Sequence, residues 1–178
     1  MKKKKNYINN REFYSRIVEY QLRVKKAQEE GTEIPRIPEY IGLCIDMLAK
    51  NLARLPRFAN YSYKDEMIQD GIENCILYFN DFNPEKSQNP FAYYTLVIYR
   101  AFIRRISKEE RQRYIAVKSL QNVSQDLSMF VDDEGKPLID VHIYDNLNTF
   151  MDKFEKKEEA KKQKRKEAKK KAEDSKNE

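Results

Sequence analysis

The sequence predicts an all-α protein. Its 178 residues hold only 4 glycines and 6 prolines, few for the turns of an all-β domain. Apolar residues recur at spacings of three and four, the period of a helix face rather than a strand. Cap and breaker residues stand where these periodic stretches start and stop.

The first helix is expected over residues 10–30. Asn9 can cap it, with Glu12 three residues on, and Gly31 supplies the stop. Ile17, Val18, Leu22 and Val24 give it a rough apolar face. Residues 33–38 form a connector that ends in a proline at the start of the next helix. In that second helix Ile41, Ile45, Leu48, Leu52 and Leu55 follow spacings of four, three, four and three, and Pro56 ends it.

A third helix is expected after Ser62, whose spacing to Asp65 fits a capping box. Ile68, Ile72, Cys75, Ile76 and Phe79 share one side, and Glu66, Asp70 and Glu73 lie roughly opposite. The helix is therefore apolar behind and acidic in front. Gly71 stands in its middle at a cost of about 1 kcal/mol relative to Ala. That cost implies close helix packing or a partner's close approach, unless the glycine is simply tolerated.

Residues 80–89 are rich in turn formers. Asn89-Pro90 then opens a fourth helix, with Asn as cap and Pro at the first position. Phe91, Tyr94, Ile98, Phe102 and Ile106 form its buried side. Arg100, Arg104, Lys108 and Arg111 form a stripe on the other side, joined by Tyr93. Aromatic residues at a helix start and an arginine ladder along its exposed face fit a nucleic-acid reader.

Beyond Tyr114 the pattern weakens. Residues 119–130 suggest a short helix, and residues 132–137 a turn. Leu138, Val141, Ile143, Tyr144, Leu147 and Phe150 suggest a small apolar element that either docks on the core or awaits a partner. After Phe154 no apolar stripe remains, so the tail is either a solvated helix or disordered.

The net charge is +6, which suits an anionic partner without identifying it. Residues 97–118 carry seven basic groups against two acidic, whereas residues 120–152 carry seven acidic groups against Lys136. These shifts divide the chain into an N-terminal helix and connector (1–36), a compact helical domain (37–118), an acidic arm with short elements (119–152) and a Lys/Glu-rich tail, extended or helical (153–178).

Several functions are excluded at this level. No run of about 18 apolar residues exists to cross a membrane. The basic start, Met1 and four lysines, lacks the apolar stretch of a signal peptide. Cys44 and Cys75 are far apart among apolar residues, as reduced buried thiols of a cytosol-like compartment would be. His142 has no companions at metal-ligand spacing. No phosphate-binding glycine motif is present. Glu66, Asp70 and Glu73, without a histidine or a second acidic cluster, read as a solvated or partner-facing surface. We therefore expect no enzyme activity, cofactor or metal.

Three stretches carry a family resemblance. Glu66-Met-Ile-Gln-Asp-Gly71 is similar to D-L-x-Q-E-G, and Phe79-Asn-Asp-Phe82 falls where an F-D follows. Phe91-Ala-Tyr-Tyr94 and Tyr99-Arg-Ala-Phe-Ile-Arg-Arg105 are similar to F-x-T-Y-A-x-x-W-I-R-x-A-I-x-R. Together they resemble conserved region 2 of the bacterial sigma-70 family, over roughly residues 38–110. Within it, Asn6-Tyr-Ile-Asn-Asn10, Tyr40-Ile-Gly-Leu43 and Asn89-Pro-Phe-Ala-Tyr93 look most like the late-transcription branch of T-even-type phages.

The resemblance implies a sigma factor acting in the cytoplasm of an infected bacterium. Glu66, Gln69, Asp70 and Glu73 would meet the clamp helices of the largest subunit of the host core RNA polymerase. Tyr94 would stack on a flipped promoter base, offsetting the few kcal/mol of unstacking. Arg100, Arg104, Arg105 and Lys108 would meet phosphates or base edges, with Tyr93, Val97 and Ala101 beside them. The sequence departs from the family at Val97 and Ile98, where paired tryptophans stand, at Ala101 for a glutamine and at Arg104 for a threonine. The implied promoter element is thus an altered, AT-rich one resembling the −10 element. Such factors also work with a phage co-activator and a sliding clamp, but the C-terminal residues 172–178 contain no aromatic or leucine for a clamp motif. Two other readings compete: a polymerase-binding regulator that never reads DNA, and a general helical nucleic-acid-binding protein.

Overall fold

The structure, a computed structural model, describes residues 8–127 and 141–174, with side chains over 8–119 and 146–168. Every regular element among them is helical, as expected: α1 (Asn10–Glu30), α2 (Glu39–Ala53), α3 (Pro56–Ala59), α4 (Lys64–Leu77), α5 (Pro90–Leu127) and α6 (Val141–Asp174), with a single 3-10 turn at Phe79–Asp81. The turn expected at residues 132–137, Leu138, and the side chains of Val141, His142, Ile143 and Tyr144 lie outside the described residues. No helix among the described residues is long and apolar enough to cross a membrane.

The chain forms two units, Met1–Ile106 and Ser107–Glu178, and the boundary falls inside α5. α1 shares the core of the first unit. Its Phe13 meets the Tyr94 ring of α5 at 5.7 Å.

The first unit is built on capped amphipathic helices. Asn9 accepts a hydrogen bond from the Glu12 amide, and Gly31 ends α1 at φ 65°, its N–H bonded to the Ala27 carbonyl. α1 buries Phe13, Ile17, Tyr20, Val24 and Ala27, at spacings of four, three, four and three. The expected face was rotated: Val18 is half-buried and Leu22 is 61% exposed. The Tyr20 hydroxyl donates to the Pro35 carbonyl at 2.9 Å and ties down the connector.

α2 buries Ile41, Cys44, Ile45, Leu48, Ala49 and Ala53. Leu55 lies beyond the helix end and is exposed, and Pro56 opens α3. Phe58 of α3 inserts against Phe102 and Tyr99, at 5.2 and 5.8 Å. α4 begins after Tyr63 with no side-chain cap, so the expected Ser62 capping box does not form. Its buried line is Met67, Gly71 and Cys75; Ile68 and Ile72 flank it, and Ile76 is 51% exposed.

α5 starts with two orphan amides satisfied. The Asn89 side chain accepts from the Ala92 amide at 3.1 Å, and Asn10 of α1 accepts from the Phe91 amide at 3.2 Å. Tyr94, Ile98, Phe102 and Ile106 are buried as expected, with Phe91 half-buried. α5 does not stop near residue 118. It runs 38 residues to Leu127, and the separate helix expected at 119–130 is its continuation. No glycine or proline interrupts residues 107–127.

In the second unit the distal part of α5 pairs with α6. Tyr114 stacks on Phe154 at 4.6 Å, Arg113 lies 4.6 Å from the Phe150 ring centroid, and Lys157 pairs with Glu110. Glu110 pairs with Lys157 and, one turn on, Tyr114 stacks on Phe154, three residues earlier in α6, so the two run antiparallel. Val117 and Met151 are buried in this unit. The expected acidic arm and tail are joined over residues 141–174 in one helix of 34 residues, again without glycine or proline.

Candidate functional site

The residues singled out by sequence converge where α4 meets the first half of α5. Gly71 makes that approach possible: a Cβ there would stand 2.9 Å from Cγ2 of Ile98 and 3.1 Å from Cε1 of Phe102. Close packing, not tolerance, explains the glycine. Alongside it, Arg105 grips Asp70 through two hydrogen bonds, Nε to Oδ2 at 2.6 Å and Nη2 to Oδ1 at 2.7 Å. Both side chains are largely covered, at 19% and 28% exposure. A bidentate pair of this kind fixes orientation as well as charge. Asn74 extends the brace. Its Nδ2 donates to the Asp70 carbonyl at 2.7 Å, and its Oδ1 accepts from Arg104.

Asn74 was missed in the sequence. Its position one helical turn after Asp70 was the available signal. Asp70 and Arg105, singled out as contacts for polymerase and DNA, are partners of each other.

The acidic face that remains on α4 is Glu66, Gln69 and Glu73, all exposed. On α5, Arg100 and Arg104 are exposed, and Val97 and Tyr93 are half-buried. At 100° per residue, Tyr93, Val97, Arg100 and Arg104 fall along one stripe. Tyr93 rests on Phe82 at 5.3 Å and on Tyr94 at 5.1 Å. Partial burial raises its phenol pKa, helped by nearby Asp81 and Cys75 and opposed by Arg100. Lys108 is exposed in the second unit.

Two further expectations fail on burial. Tyr94 is 0% exposed, its hydroxyl donates to the Phe79 carbonyl at 3.2 Å, and its ring lies among Phe13, Phe79 and Phe82. Burial drives its phenol pKa far up. A base stack on Tyr94 would require opening the core. Ala101 is buried as well, so it offers no surface to a base. Both belong to the buried side of α5, where the aromatic and small residues of an amphipathic helix go.

The thiols of Cys44 and Cys75 are free and buried. Burial pushes Cys75 up to about 12. Among the described residues no group of three or more His, Cys, Asp or Glu side chains could hold a metal ion. Neither a scan against protein-family models nor a search of the curated proteins returns a match to this chain.

Proposed function

We propose that the chain is a sigma-type specificity subunit, of the late phage kind, which binds host core RNA polymerase and directs it to an AT-rich element resembling −10. The observation that carries this reading is the pairing of two charged faces in fixed register. Glu66, Gln69 and Glu73 front α4, and Tyr93, Arg100 and Arg104 front α5. The Asp70–Arg105 bridge and the Gly71 contact lock one helix to the other. An acidic helix suits the basic flank of a protein partner, and an arginine stripe with an aromatic suits a melting duplex. In this version Tyr93, not Tyr94, is the ring that meets a base.

A second reading has its own support. The burial of Tyr94 and Ala101 removes two of the contacts on which DNA reading would rest. A regulator that uses only the α4 face is the alternative.

Run-off transcription with sigma-free host core polymerase and a pool of AT-rich late promoters separates the two. Glu66→Lys with Glu73→Lys reverses the acidic face without touching the bridge; Asp70→Lys would break it. Under the sigma reading, the wild type initiates at discrete sites. The α4 double variant loses core binding, and Arg100→Gln with Arg104→Gln binds core but loses initiation. A wild type that binds core and never directs initiation supports the regulator. Absence of core binding rules out both.

A further inference from the structure

Two successive stretches of α6 carry different charge patterns, and the first is the better partnered within the fold. Over residues 153–160 there are three basic and three acidic residues. Three of these six find partners: Lys157 with Glu110, Glu155 with Lys118, and Glu158 with Lys161 one turn on. Over residues 161–171 there are eight basic residues and one acidic, Glu167. The helix continues through this stretch, and residues 161–168 are all exposed. Like charges three and four residues apart destabilise a helix, and no burial over residues 161–168 offsets that. Mixed signs, as over residues 153–160, would support the helix instead. The abrupt loss of acidic residues points to an external anion.

The geometry narrows which anion. Eleven residues at 1.5 Å rise span about 16 Å, so the eight cations average about 2 Å apart along the axis. Duplex DNA carries one phosphate charge per about 1.7 Å of its axis. Residues 161–171 contain no aromatic side chain, so they lack the stacking platforms by which proteins hold single strands. At the base of the stretch, within the second unit, a groove of about 810 Å³ lies between α5 and α6. Lys108 and Arg111 line it from one helix and Lys161 and Lys162 from the other. Of its three carboxylates, Glu155 accepts from Tyr114 and Glu158 accepts from Lys161, and Glu159 lines it beside them.

We infer that the second unit is a sequence-independent duplex-DNA-binding element, in which Lys162, Lys164, Arg165 and Lys166 neutralise backbone phosphates, joined by Lys161 as it exchanges its exposed partner Glu158 for a phosphate. It supplies affinity and no base reading. It goes beyond the promoter-reading proposal and does not depend on it.

The test is fluorescence anisotropy of the full chain on a short random-sequence duplex, without polymerase, over a salt series. The variant carries Lys161→Gln, Lys162→Gln, Lys164→Gln, Arg165→Gln and Lys166→Gln together. Glutamine keeps a helix propensity close to that of lysine, and circular dichroism verifies the helix. Binding is expected to weaken about ten-fold or more, and the slope of log K against log salt to flatten by about 2–4. Arg100→Gln with Arg104→Gln should change this binding much less. An unchanged affinity and slope in the five-site variant overturns the inference. So does wild-type binding that resides in Arg100 and Arg104, or that is tighter to a single strand or to polyglutamate than to the duplex. Failure of promoter-directed initiation, read in the transcription assay, leaves the random-duplex result standing on its own.

Discussion

Gly42 and Gly71 stand in two helices of the same unit, and one added methyl group has opposite consequences at the two positions. At Gly42 a Cβ would meet nothing within 4 Å. Gly42→Ala should therefore gain the helix-propensity difference, about 0.5–1 kcal/mol. At Gly71 the same gain is set against contacts of 2.9 and 3.1 Å with Ile98 and Phe102, both fully buried. Ile98 is stiff at χ1 within a helix and cannot swing away. Overpacking of this kind costs about 1–3 kcal/mol, so Gly71→Ala should be destabilising by about 1 kcal/mol net. Urea unfolding of both variants checks the pair of signs, and stabilisation by Gly71→Ala would show that α4 and α5 are not in close contact. The other residue-scale expectation concerns pH. Burial raises the Cys75 thiol from 9.0 to about 12. The fold thus favours the protonated form. Its contribution is complete below pH 9, where the unfolded thiol is also protonated, and is lost as pH rises from 9 towards 12. Unfolding free energy should be level from about pH 7 to 8 and decline above 9, at up to about 1.4 kcal/mol per pH unit from this group. Cys75→Ala should remove most of the decline between about pH 9 and 10, with a remainder from Cys44, whose thiol burial also raises.

At the scale of elements, the start of α5 is the most heavily determined point in the first unit. Asn89 caps it from its own chain direction and Asn10 caps it from α1. Asn89→Ala is expected to cost about 1 kcal/mol. Asn10→Ala should cost a similar amount, because the Phe91 amide is half-covered and loses its partner. The Asn89 cap was legible in the sequence, since caps act locally; the Asn10 contact was not, since it joins residues 81 positions apart. The same division runs through the fold. The α5 face of Tyr94, Ile98, Phe102 and Ile106 was readable because large apolar residues repeat at helical spacing. The α4 line of Met67, Gly71 and Cys75 was obscured by brighter isoleucines beside it, since a glycine shows no hydrophobicity. The end of α5 was misjudged because a fading apolar stripe was taken as a stop, although no glycine or proline stands in residues 107–127; for the Lys/Glu-rich tail the helical alternative holds up to Asp174. At the site, charge type was legible and charge pairing was not. Asp70 and Arg105 are 35 positions apart, and only packing brings them together.

For the whole molecule, the decisive asymmetry is where apolar surface is buried. The contiguous core runs from Ile8 to Ile106 and draws on every helix of the first unit. In the second unit the buried hydrophobic side chains among the described residues are Val117 and Met151, supported by the Tyr114–Phe154 stack. Isolated helices in water are marginal, and tertiary packing of an apolar face supplies most of their stability. A chain ending at Ile106 keeps the whole core, both caps of α5 and the Asp70–Arg105 bridge. It should therefore unfold cooperatively, with a midpoint within about 5 °C of the full chain, a shift worth about 1 kcal/mol at this size. A fragment of residues 107–178 should show helical circular dichroism that declines gradually on heating, without a sharp transition. Thermal scans of the two fragments and the full chain decide the matter. A truncated chain that melts without cooperativity would mean that the core depends on residues beyond Ile106. The two charged faces of α4 and α5 would then owe their register to more than Gly71, Asp70 and Arg105.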